Sequence, residues 1–159
     1  MTARDWTGGA RLLPGFGVFQ GVAGDNAPHA HGAHQIVIGK RGTVEVGFAQ
    51  RSARGIVIPA NMPHCVAAAD VLLIYLDPLT LEGRALFGDA SMTAKELPAS
   101  LCDRLLDAGQ ACQSADMLRQ SLRATLGLPS AATLDTRLTT VIAAWGSIDF
   151  RAVCDGNRP

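Results

Sequence analysis

The chain reads as a mainly β domain, an antiparallel sandwich or small barrel, followed by α-helices. Three observations carry that reading. Short β-branched runs recur at close spacing through the first ninety residues, and glycine-rich turn signals separate them. Beyond Leu79 the apolar residues change to helical spacing. The strand-like runs lie at residues 16–22, 35–39, 43–48, 55–59 and 71–76, and the turns at 24–26, 39–42, 52–55 and 59–63. Asp70 interrupts the apolar stretch that runs from Val66 to Leu76.

The helical part begins at Pro98, a residue suited to the first turn of a helix, with Leu101, Leu105 and Ala108 on one face. Ser114 is a natural N-cap for a second helix striped by Leu118, Leu122 and Leu126, and Gly127 ends it. A third helix is expected from Thr133 or Asp135, with Leu134, Leu138, Val141, Ile142 and Trp145 on its apolar face and Gly146 as its stop. Such stripes pack on the β part or on one another, or leave one face over for a dimer. The expected organisation is residues 1–80 as the β-barrel, 81–146 as the helical segment and 147–159 as a tail.

Composition narrows the function. The 159 residues are 48% hydrophobic and 18% charged, a globular balance with room for a real core. Lys plus Arg and Asp plus Glu number 14 each, so the basic excess of a compact nucleic-acid-binding domain is missing and no direct grip on nucleic acid is expected. The first six residues lack the basic-then-apolar pattern of a signal peptide, and no apolar run reaches the roughly 18 residues of a membrane span. A cytoplasmic chain is therefore expected, with Cys65, Cys102, Cys112 and Cys154 as reduced thiols, since none share a CxxC spacing.

Chemistry concentrates in the histidines. The chain has four, and three of them, His29, His31 and His64, form one constellation with Gln35. His29, His31 and Gln35 share parity, so on a strand they point the same way. Two imidazoles on one strand face make half a site for a divalent ion, and His64 from the turn after Pro59 can complete it. The open alternatives are direct contact with an organic ligand and a purely structural role. His34 has the opposite parity, so its default is a partly exposed or interface position, with a lesser claim on a ligand pocket. Tyr75, the only tyrosine, lies on a late strand as a pocket hydroxyl or a packing residue.

These residues resemble the two signature motifs of the cupin superfamily. The first is HxH, three residues, Glu, six residues, Gly, and here His29, His31, Gln35 and Gly42 hold those places. The second is Pro-x-Gly-x-x-His with Asn four places on, and here Pro59, Asn61 and His64 stand with Ala68 in the last place. Asn61 can take the left-handed turn that the family glycine supplies. The resemblance implies a jelly-roll-like barrel whose metal positions are His29, His31, Gln35 and His64. The ion would be Zn, Ni, Cu, Fe or Mn. Gln35, in the glutamate place, is a poorer ligand than a carboxylate and leaves the ion more of its charge.

A finer resemblance covers residues 15–80. The run His29-Ala-His-Gly-Ala-His-Gln-Ile-Val-Ile, then Gly42-Thr-Val-Glu-Val, Arg54-Gly-Ile-Val-Ile-Pro-Ala-Asn-Met-Pro-His and Leu73-Ile-Tyr-Leu-Asp-Pro are similar to the N-terminal sensing domain of AraC-type transcriptional regulators. That resemblance implies a small-molecule or metal effector and a homodimer formed through the helices. It also implies a DNA-binding half that needs about a hundred further residues. The alternative is a stand-alone metal-dependent cupin enzyme, such as a dioxygenase, isomerase or lyase, or a metal-binding module. The missing glutamate and the lack of an evident acid–base partner weigh against catalysis.

Overall fold

The computed structural model describes residues 6–24, 27–41, 44–46, 51–87, 93–112 and 114–129. All of them belong to one compact unit, Met1–Pro129. The expected third helix, the tail and Cys154 lie outside the described residues. Eight strands and three helices follow one another: β1 (Thr7–Leu13), β2 (Phe16–Ala23), β3 (His34–Gly39), β4 (Val44–Val46), β5 (Arg51–Ala53), β6 (Gly55–Ile58), β7 (Val66–Leu76), α1 (Leu81–Phe87), β8 (Lys95–Glu96), α2 (Ala99–Ala111) and α3 (Ala115–Leu126).

Every strand pairing is antiparallel, along the order β1-β2-β7-β3-β6-β8, with β4 joining β7 and β5 joining β4. The expectation of a closed barrel is corrected here. No described pairing joins β1 to β8, so among the described residues the sheet is open. The physical reason lies at its edges. β8 has two residues and runs straight into α2, while β1 is exposed on both faces along nearly its whole length.

Parity sorts the sheet into two apolar layers. Phe16, Val18, Ile36, Ile38, Leu72, Ile74 and Leu76 face the helices and pack with Phe87, Leu105, Leu118 and Leu122. Val37, Ile56, Ile58, Val71 and Leu73 face the other way and pack with Ala23, Val66 and the partly buried Phe19, Met62 and Tyr75. β3 is buried at all six positions because both of its faces are covered, which explains its unbroken apolar run. β7 runs through Asp70, whose carboxylate meets Lys40 at 3.1 Å. A polar interruption that finds a partner beside the strand does not end it.

The helices follow the sequence closely. Ser114 caps α3 by accepting the Met117 N–H at 3.2 Å, and Gly127 closes it at φ 66°. In α2 the buried face is Cys102, Leu105, Leu106, Ala108 and Gly109. The short α1 carries a buried carboxylate, Glu82, which accepts from the Arg119 and Arg123 guanidiniums of α3 at 2.9 and 2.6 Å. Burial by itself would raise the Glu82 pKa. The backbone and guanidinium hydrogen bonds outweigh it and hold the group below its ordinary value. No described helix is long and apolar enough to cross a membrane.

The face assigned to α3 is testable on adjacent residues. Leu118 is fully buried and Met117 is 55% exposed. Leu118→Ala is expected to cost about 2–5 kcal/mol and Met117→Ala less than about 0.5 kcal/mol, read from urea denaturation midpoints.

Candidate metal centre

The three histidines meet because two loops dock through their backbones. His29 and His64 form an isolated antiparallel bridge, with N–H donated each way at 2.9 and 2.8 Å. Asn61 then donates its N–H to the His31 carbonyl at 2.8 Å. The strand expected to hold His29 and His31 in fact starts at His34, so both precede the ladder. The bridge restores at His29 the extended backbone that shared parity presumes. Asn61 sits at φ 61°, the left-handed geometry foreseen for the glycine place.

One ring nitrogen from each of His29, His31 and His64 lies within 4.8 Å of the others. Ring centroids are 4.7 Å apart for His29 and His64, 5.0 Å for His31 and His64, and 5.8 Å for His29 and His31. Backbone carbonyls fix each ring. The His29 Nδ1 bonds the Ala27 carbonyl at 3.1 Å, the His31 Nδ1 the Ala33 carbonyl at 3.0 Å, and the His64 Nδ1 the Met62 carbonyl at 2.8 Å. A carbonyl oxygen only accepts, so each Nδ1 carries the proton and each neutral ring keeps its lone pair on Nε2. This is the outer support that orients histidines toward a metal. The His64 Nε2 is buried with no hydrogen-bond partner. Such an orphaned acceptor calls for an occupant. The three histidines could therefore hold a metal ion.

Gln35 and Tyr75 join from the neighbouring strands. They are register partners on β3 and β7, on the sheet face away from the helices. The Gln35 amide nitrogen donates to the Tyr75 hydroxyl at 3.0 Å, which leaves its carbonyl oxygen 3.3 Å from the His31 Nε2. Two acceptors then face one another, an arrangement that a shared cation relieves. Turning the amide over would relieve it as well, by letting Gln35 donate to His31 and Tyr75 to Gln35. The Tyr75 ring stands edge-on to His31 at 5.5 Å. Burial pushes the Tyr75 pKa up, against the Gln35 hydrogen bond, so the phenol stays protonated.

His34 is elsewhere. It is 3% exposed, not partly exposed as its parity alone implied, and it points to the helix side of the sheet. Its ring lies 4.6 Å from Phe87 of α1, and its Nδ1 accepts the Ala60 N–H at 2.9 Å. It does not touch the cluster but braces the turn that carries His64. Sequence reasoning also missed the carbonyls of Ala27, Ala33 and Met62. Any residue supplies a carbonyl, so no residue type could have marked them. Among the described residues Cys65, Cys102 and Cys112 are free thiols.

No protein-family model matches the chain, and no curated protein matches it. Among solved structures it is similar to protein NMB1881 from Neisseria meningitidis, at 19% identity over 46% of this chain and 86% of that one, with a TM-score of 0.38. It is also similar to the AraC-like transcriptional activator CuxR, at 11% identity over 79% of this chain and 57% of that one, with a TM-score of 0.48. The alignment thus spans little more than half of that activator's length.

Two predictions follow from this geometry. Burial lowers the pKa of both His34 and His64 from the usual 6.5, helped at His64 by His31 and His29. The folded state therefore binds fewer protons than the unfolded one between those lowered values and 6.5. The metal-free protein should keep this contribution to stability above pH 6.5 and lose it as pH falls through the window, seen as a falling melting temperature. A melting temperature that holds level from pH 7.5 to 5.5 would contradict this assignment. At the turn, Asn61→Gly should be tolerated within about 1 kcal/mol, whereas Asn61→Val should cost about 1–2 kcal/mol or more in chemical denaturation.

Proposed function

We propose that this domain binds a divalent transition-metal ion through His29, His31 and His64, with Gln35 as a weaker fourth oxygen. We further propose that it serves as the ligand- or metal-sensing, cupin-type domain of an AraC-like regulator. The observation that carries the metal reading is the set of three imidazoles whose Nδ1 protons are all committed to backbone carbonyls, around a buried His64 Nε2 without a partner. Neutral imidazoles suit Zn, Ni, Cu or Fe, and Mn less well. Tetrahedral zinc needs nitrogens about 3.4 Å apart. The present spread reaches 4.8 Å, and His29, the exposed member, has room to close it.

The regulator reading is supported by the extended motif in residues 15–80 and by the two-layered sheet. Gln35 faces the metal centre and its neighbour His34 faces α1, so a shift of β3 bears on both layers. For sensing, the effector must favour one of two arrangements of the helices, and in this reading the same helices supply the homodimer contact.

Elemental analysis of the untagged protein by plasma mass spectrometry tests the first step, alongside a variant combining His31→Ala and His64→Ala. About one equivalent of a transition metal, lost in the variant with the fold retained by circular dichroism, is the expected result. Undiminished metal binding by that variant would refute the site.

A further inference from the structure

We propose that the ion at this centre takes a small anion, a carboxylate or comparable monoanion, as its further ligand, and that Gln35 sets this preference. The inference rests on the metal reading above and names the class of effector that reading leaves open.

Charge sets this preference. Each imidazole donates its Nδ1 proton to a carbonyl, so a ring that ligates the ion does so through the Nε2 lone pair and brings no charge of its own. Gln35 contributes a neutral amide oxygen, and Tyr75 is a phenol hydrogen-bonded by that same amide. Among the described residues no carboxylate joins the cluster. The protein donors therefore sum to zero charge, and a divalent ion held by them keeps its full double charge. A glutamate at position 35 would halve it.

Three histidines leave the fourth position of a tetrahedral ion to the weak Gln35 oxygen, which an anion can displace, and an ion of higher coordination number keeps a further position open. His29, Ala30 and Gly32 are exposed, so that position is reached from solvent on their side. An ion of undiminished charge at a solvent-facing position binds an anion more tightly than a neutral sugar or amine. At an effective dielectric near 20, one unit of charge about 4 Å away changes anion binding on the order of a hundredfold or more.

The protein without its ion offers an anion the reverse. With the rings and the amide turned as the ion needs them, three nitrogen lone pairs and the Gln35 oxygen line the centre and repel negative charge. Anion binding must therefore depend on the ion, which separates this proposal from a generic basic pocket.

The test uses the full chain loaded with Co(II), whose visible spectrum reports its ligands, titrated with azide and with acetate. Cobalt content is measured independently by mass spectrometry. One equivalent of cobalt whose spectrum shifts saturably with millimolar or lower anion is the expected result, with no anion binding to the metal-free chain. Gln35→Glu should weaken anion binding at least about tenfold more than Gln35→Leu does, each compared at measured cobalt content. Full cobalt loading with a spectrum that neither anion moves would overturn the proposal and leave the metal reading standing. Equal losses in the two Gln35 variants would overturn the role of charge at that residue, as would anion binding by the metal-free chain. Failure to take up cobalt would overturn the metal reading and this proposal with it.

Discussion

The centre depends on a short backbone docking between the segment at His29–His31 and the turn that ends at His64. Three hydrogen bonds make it: the reciprocal pair between His29 and His64, and the Asn61 N–H to the His31 carbonyl. Main-chain bonds of this kind contribute about 1 kcal/mol each in net terms, and their larger effect here is geometric. They bring imidazoles from two distant stretches of chain to one point. The Met62 carbonyl, from the same turn, then fixes the His64 ring. The left-handed Asn61 is what lets the turn reverse tightly enough to present both groups.

Behind that docking stands a sheet buried on both faces. Consecutive residues of β3 serve opposite layers. His34 braces the Ala60 N–H and packs on Phe87, while Gln35 reaches His31 and Tyr75. The turn carrying His64 is therefore held from both sides of the sheet, by a side-chain acceptor on one and by backbone docking on the other. The Glu82 carboxylate, gripped by Arg119 and Arg123, fastens α1 to α3 and so completes the layer against which His34 rests. Removing one member of such a buried ionic group leaves an uncompensated charge, which is why these contacts are costly to break.

The site is chemically spare. Its oxygen donor is the amide of Gln35, and burial keeps the Tyr75 phenol protonated. In each ring the Nδ1 proton is committed to a backbone carbonyl, which leaves Nε2 as the atom that can meet an ion, a ligand or a proton.

The sequence by itself determined what local physics can decide. Period-two and period-four patterns located β2, β3, β6, α2 and α3 nearly to the residue, and Ser114 and Gly127 act as cap and stop because their chemistry is local. The histidine constellation was legible because so few histidines are spread over so long a chain. No periodic pattern marked β1, β5 or β8, and α1 fell inside the expected helical segment without a stripe of its own, since short or two-sidedly exposed elements draw their stability from neighbours. Only the tertiary structure decided that the described sheet stays open, that His34 is buried away from the cluster, and which ring nitrogens remain free. Those outcomes rest on strand pairing and on backbone carbonyls, groups every residue carries alike, so no choice of amino acid could announce them.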